Sequence, residues 1–148
     1  MNIFEQFIGK QILKVYRVDY EKDHNSATPI AIFLQLDEEA GLLIDQEFES
    51  ETTTVGFVLL KHVLYGDGII FFETFLNELK PADRLKTLEG QIIKSIRVGV
   101  VNDKESGNGF VIKAGQYAWV VIEIGDEKLT IFNRSDVTKI LFNSDVPF

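Results

Sequence analysis

Cysteine is absent from this chain of 148 residues, and methionine and tryptophan occur once each. Without thiols there is no disulfide framework and no thiolate-bound metal centre, and the composition fits a reducing compartment. Proline occurs three times, too rarely for a proline-rich linker. Long hydrophobic runs are missing too. The longest, residues 30–34 and 118–122, hold five residues each, whereas a membrane-spanning helix needs about 20. The first residues carry an acid, Glu5, and no basic stretch, so no secretory signal is read there. A soluble, cytoplasmic protein without membrane contact is the expectation. Bases are also short, with 15 Lys and Arg against 23 Asp and Glu. Nucleic-acid binding is disfavoured, because phosphate contacts need a basic stripe.

The net charge of −8 is unevenly distributed. Residues 1–80 hold 14 acids and 6 bases, whereas residues 81–148 hold 9 of each. Steering of a basic protein partner by the first half is the functional expectation. A solvated acidic face that aids solubility is the plainer alternative.

Hydrophobic residues make up 45%, with twelve phenylalanines, the mix of a globular protein with an aromatic-rich core. Its most conspicuous pattern is internal. Gln11, Ile12, Lys14, Arg17 and Val18 recur as Gln91, Ile92, Lys94, Arg97 and Val98, at a separation of 80. Before each stretch lies one helical turn closed by a glycine. Phe4, Phe7 and Gly9 match Leu85, Leu88 and Gly90 at a separation of 81. The change from 81 to 80 implies a residue gained or lost beside the glycine. In the first strand Ile12, Tyr16, Val18 and Tyr20 alternate on the face of Lys14. Ile92, Ile96, Val98 and Val100 do so on the face of Lys94, as half-buried strands require.

A hairpin follows in each half. Ile30, Ile32, Leu34 and Leu36 match Ala118, Val120, Ile122 and Ile124 at a separation of 88, and residues 42–44 match 129–131 at 87. The expected fold is mainly β (α+β), an antiparallel sheet of two pseudo-repeats, about 3–48 and 84–133. Residues 52–65 have no match in this reading and predict one or two strands; residues 137–142 predict a last strand. The second repeat has the longer loop, residues 102–109, where Asn108-Gly109 signals a tight turn. Residues 110–113 then predict an extra short strand. Phe72, Phe75, Leu76 and Leu79 follow helical spacing, and Pro81 limits a linking helix to residues 69–80. A unit of about 65 residues barely sustains its own core. One domain over residues 1–148 is expected: an acidic repeat (1–65), a linker (66–81) and a neutral repeat (82–148).

No motif for chemistry stands out, and no cofactor or metal is expected. The two histidines, His24 and His62, lack a second ligand at metal spacing. No phosphate-binding glycine loop or nucleophile elbow occurs. The acidic window Asp37, Glu38, Glu39, Asp45, Glu47, Glu49 and Glu51 contains no base. On an extended strand its last four carboxylates share one face, about 6.6–6.8 Å apart, too widely spaced to wrap a calcium ion. Docking a basic partner is the functional reading, and a charged edge that blocks strand pairing the structural one. Arg17 and Arg97 form an anion site only if the halves bring them together. Tyr117 and Trp119 mark either core or a contact surface. Three functions follow, in this order. The first is a non-catalytic binding protein for a basic partner, of which an immunity-type inhibitor of a basic nuclease is an instance by analogy of charge and size. The second is a small-molecule or enzymatic β-domain with its site between the repeats. The third is a structural homo-oligomer.

Overall fold

A computed structural model describes residues 4–19, 29–47, 52–60, 75–99, 116–134 and 137–144. Its organising feature is a pair of glycines at positive φ, Gly9 at 87° and Gly90 at 85°, a conformation that costs glycine little. They follow two 3-10 turns, Glu5–Phe7 and Arg84–Leu88. Beyond the glycines the two segments bond to each other reciprocally. Gly9 N–H donates to Ile93 O (2.8 Å) and Gly90 N–H to Ile12 O (2.7 Å). Ile12 N–H donates to Gln91 O (2.8 Å) and Ile93 N–H to Lys10 O (2.9 Å). Exchanging the halves at an offset of 81 turns each bond into its partner. Gln11 pairs with Ile92, its own counterpart at that offset, so a local two-fold passes between them.

Each half then runs as a four-stranded antiparallel meander. The first consists of β1 (Lys14–Asp19), β2 (Ala31–Gln35), β3 (Ala40–Glu47) and β4 (Thr52–Leu59). With β5 (Phe75–Glu78) beside β1 and β7 (Gln116–Tyr117) beside β4, these strands make a six-stranded sheet. The second meander, β6 (Ile93–Gly99), β8 (Trp119–Ile124), β9 (Glu127–Arg134) and β10 (Val137–Phe142), is a four-stranded sheet. The expected mainly β, antiparallel class and both hairpins are present. Ile32 and Leu34 face Ile44 and Leu42 across the first; Val120 and Ile122 face Ile131 and Leu129 across the second.

The register corrects the sequence alignment of the first strands. Val15 pairs with Leu34 and Ile96 with Ile122. Because Leu34 and Ile122 are counterparts, so are Val15 and Ile96, at 81 rather than 80. No residue is gained or lost beside the glycine. The identities at 80 are one position out of structural register, so Lys14 corresponds to Ser95 and Arg17 to Val98. The alternation is also interrupted just past the two-fold. Ile12 and Val15 are buried in the first half, and Ile93 and Ile96 in the second, where β6 carries a bulge between Ile93 and Ser95. Leu13 and Ile92, by contrast, are exposed.

The meanders correspond in a fourth strand as well. Val55 pairs with Ile44 and Ile140 with Ile131, while Phe57 pairs with Leu42 and Phe142 with Leu129. β4 and β10 are therefore counterparts at an offset of 85, although residues 52–59 find no match by sequence. Thr53 and Thr138, both buried, fall on this offset.

One apolar cluster joins the inward faces of the two sheets, from Ile12, Val15, Leu34 and Leu42 to Ile93, Ile96, Ile122 and Leu129. Phe4, Phe7, Leu85 and Leu88 of the two turns close its ends. A second cluster, Val18, Ala31, Phe33 and Leu43, lies on the outer face of the six-stranded sheet, with Tyr16 packed against it. β1 is thus buried on both faces, which explains why Tyr16 and Val18 sit outward rather than on the face of Ile12.

The linking helix is not formed where the chain is described. Phe75, Leu76, Asn77 and Glu78 extend as β5, paired with Asp19, Val18, Arg17 and Tyr16. A short apolar run fits either period; here the open edge of β1 takes it as a strand. Residues 69–74, the turn at 66–68, the loop at 102–109, the segment 110–113, His24 and His62 lie outside the described residues.

Candidate functional site

The acidic window does not form one patch. Asp37, Glu38 and Glu39 make the β2–β3 turn, where Asp37 Oδ1 accepts from Glu39 N–H and Ala40 N–H, both at 2.8 Å. Asp37 therefore shapes the turn, and Glu38 and Glu39 project as exposed residues. Asp45 is half-buried on the outer face of the sheet, opposite Ala31 and Thr54. Glu47 ends β3, about 27 Å along the strand from Glu39 at the rise of an extended chain. Glu49 and Glu51 lie outside the described residues.

The arginines are not brought together. Arg17 faces the inter-sheet core, as its counterpart Val98 does, and is 2% exposed. Arg97 stands on the opposite face of its sheet, paired with Val121, and is exposed. Arg17 is also engaged. Its Nε donates to both carboxylate oxygens of Asp19 (3.0 and 2.8 Å) and its Nη2 to Oδ1 (2.6 Å). Asn77 Nδ2 donates to the same carboxylate at 2.9 Å, which ties β5 to β1. A buried pair of this kind needs these added bonds to offset its desolvation.

The halves differ in how their charges are satisfied. In the second, Arg84 pairs with Glu127 (3.3 Å), Lys86 with Glu89 (2.9 Å) and Lys94 with Asp126 (4.0 Å). In the first, besides the buried Arg17–Asp19 pair, Lys14 pairs with Glu78. The hydrogen bond between them raises the Lys14 pKa and lowers that of Glu78. Glu5, Glu38 and Glu39 have no ion-pair partner among the described residues. Nor do those residues contain a group of three or more His, Asp or Glu that could hold a metal.

A second asymmetry lies between the sheets. Tyr117 rests edge-on against Phe4, with ring centroids 5.9 Å apart, and pairs with Thr53 of β4. At the opposite end the counterparts are Pro29, Leu85 and Thr138. Proline has neither the aromatic ring nor an N–H for the ladder. There the Thr138 hydroxyl donates to Ile30 O instead, at 2.7 Å. A cleft of about 250 Å³ remains, lined by Pro29, Leu85, Thr138, Ile140 and Phe142 with Arg17 among them. The offset of 88 that relates the hairpins already aligns Pro29 with Tyr117, but only the packing shows a cleft. Trp119, the other aromatic of this stretch, lies against Gly99, where an added Cβ would overlap its indole.

No family model, no curated protein and no solved structure matches the chain.

Proposed function

We propose that the chain is a non-catalytic intracellular binding protein whose acidic first half docks a basic protein partner. The carrying observation is the contrast between equivalent hairpins. Glu38 and Glu39 stand exposed and without ion pairs among the described residues, while Glu127 is paired with Arg84 at 3.3 Å and Asp126 lies 4.0 Å from Lys94. The second half builds the same meander with balanced charge, so the backbone does not require Glu38 and Glu39. Unpaired surface carboxylates attract an oppositely charged partner over a range that salt shortens. An inhibitor that covers a basic nuclease belongs to this class. The test is capture from lysate at low salt by the intact chain and by Glu38→Gln/Glu39→Gln. A basic partner held by the first, released by salt and lost by the second is expected. If no retained protein depends on both salt and these two acids, the reading fails.

A second reading rests on the cleft, which fits a small planar ligand between the sheets at the place its counterpart fills with Tyr117. Aromatic fragments are then expected to shift the amide resonances of residues 138–142, and Leu85→Trp to abolish those shifts. Unshifted resonances across a fragment set remove this reading.

A further inference from the structure

The first half also exposes apolar side chains at one corner, and the equivalent corner of the second half does not. Phe57 is 54% exposed, Ile8 41% and Leu59 37%. They are linked through Phe7 and along β4. Phe57 lies 5.4 Å from the buried Phe7 ring, ring to ring, Ile8 follows Phe7 in the chain, and Leu59 shares the face of Phe57 two residues on. At the three counterpart positions the second half carries Phe142, Glu89 and Ser144. There the Arg84 guanidinium covers the Phe142 ring at 4.4 Å. Glu89 is tied to Val15 N–H at 2.9 Å and to Lys86. The scaffold therefore accepts a capped or polar corner, and the first half leaves these side chains exposed, with no cap among the described residues.

Acids border this corner. Glu5 lies on the turn that carries Ile8, and Leu59 pairs with Ala40, directly after Glu38 and Glu39. Leu60 N–H donates to Glu39 O at 2.6 Å, which holds the acidic turn against the end of β4. Among residues 1–13 the single base is Lys10, and Lys61 follows Leu60 outside the described residues. An apolar centre inside an acidic border has the layout of a binding surface in which buried anchors supply affinity and border charges supply steering. A second copy of the same corner would bring like charges together, so the border selects against self-pairing.

We infer that Ile8, Phe57 and Leu59 form the anchor of the docking surface, and that its occupant is a basic protein segment presenting an apolar side chain between its lysines or arginines. This rests on the proposed acidic docking function and names the surface that carries it. The test compares two synthetic peptides of equal length and charge, one of lysine and serine alone, the other with leucine and phenylalanine set between the lysines. The protein is the full chain, as wild type and as Ile8→Glu/Leu59→Ser, which installs the residues of the second half. Because this variant is more acidic, docking by charge alone becomes tighter on substitution, whereas docking by an apolar anchor becomes weaker. Expected is a preference of about tenfold for the apolar basic peptide, lost in the variant. Leu59→Ser alone serves if the double variant does not keep the wild-type amide spectrum, with a loss in the same direction. Equal affinity of the two peptides, or a variant that binds the apolar peptide as tightly as wild type, overturns the anchor and leaves acidic docking standing. Failure of both peptides to bind wild type overturns both. A wild-type dimer in sedimentation that becomes a monomer on substitution assigns the corner to self-association and overturns the inference.

Discussion

At equivalent places the first meander has Arg17, Ile8, Pro29 and Leu59 where the second has Val98, Glu89, Tyr117 and Ser144. The backbone around these pairs is the same: glycine turn, four antiparallel strands, one shared core. Whatever is common to both halves is what the fold needs, and whatever differs is free to serve something else. The common set is apolar and inward: Ile12 with Ile93, Val15 with Ile96, Leu42 with Leu129. The differing set is charge pairing, corner exposure and the cleft.

The sharpest test of this division is the buried ion pair. Asp19→Ala removes the carboxylate that the buried Arg17 is bonded to and is expected to cost about 3–5 kcal/mol, read as a lowered urea midpoint. Arg17→Val/Asp19→Val, which copies Val98 and Val100, is expected to fall near wild type, since buried pairs can be exchanged for apolar residues at little cost. If the double variant loses as much as the single, the two first strands are not interchangeable. Next come the glycines. Gly9 and Gly90 have nothing within 4 Å of an added Cβ, so alanine meets only the backbone cost of positive φ, about 1–2 kcal/mol. Equal thermal shifts in Gly9→Ala and Gly90→Ala support the local two-fold, and unequal ones break it.

The threonines divide the halves more finely. Thr138→Val removes a bond to Ile30 O and is expected to cost about 1 kcal/mol. The Thr53 hydroxyl is buried without a partner among the described residues, so Thr53→Val is expected to be neutral or stabilising in the same urea measurement. The smallest effect belongs to Lys14–Glu78, which the second half lacks because Ser95 takes the place of Lys14. The pair's hydrogen bond holds Glu78 below its ordinary 4.5, so its contribution is present above that pH and fades as pH falls through the folded value. Lys14 is held above 10.5, so its contribution is present below that pH and is lost as pH rises through the folded value. Between these limits Glu78→Gln is expected to be slightly less stable than wild type, with the difference shrinking at both flanks of a pH series. A difference independent of pH assigns the effect to packing.

Both hairpins are legible in the sequence because each inward face alternates over three positions, Ile32, Leu34 and Leu36 in the first half and Val120, Ile122 and Ile124 in the second. The first strands mislead for a physical reason. β1 is buried on both faces and its alternation is interrupted after Ile12, so identities at 80 outweigh the offset of 81 that the glycines and phenylalanines carry. β4 and β10 escape notice because little beyond Thr53 with Thr138 and Phe57 with Phe142 survives on their common offset. β5 is hidden by apolar spacing that a helix also satisfies. The acids are visible in the sequence, but not that β3 separates Glu39 from Glu47, nor that Arg17 is occupied by its own strand. Exposure at Ile8, Phe57 and Leu59 has no signature at all, since apolar residues on strands ordinarily face inward.

The reciprocal bonds at Gly9 and Gly90 also govern when the molecule can become whole. They join residues 9–12 to residues 90–93, so none of the four can form until the second first-strand has been synthesised. Closure must bring together segments 81 positions apart, a separation that slows folding because chain entropy is lost before those contacts form. During translation the first meander therefore waits with these bonds unmade, and with Ile12 and Phe7 lacking the second-half residues that complete their core.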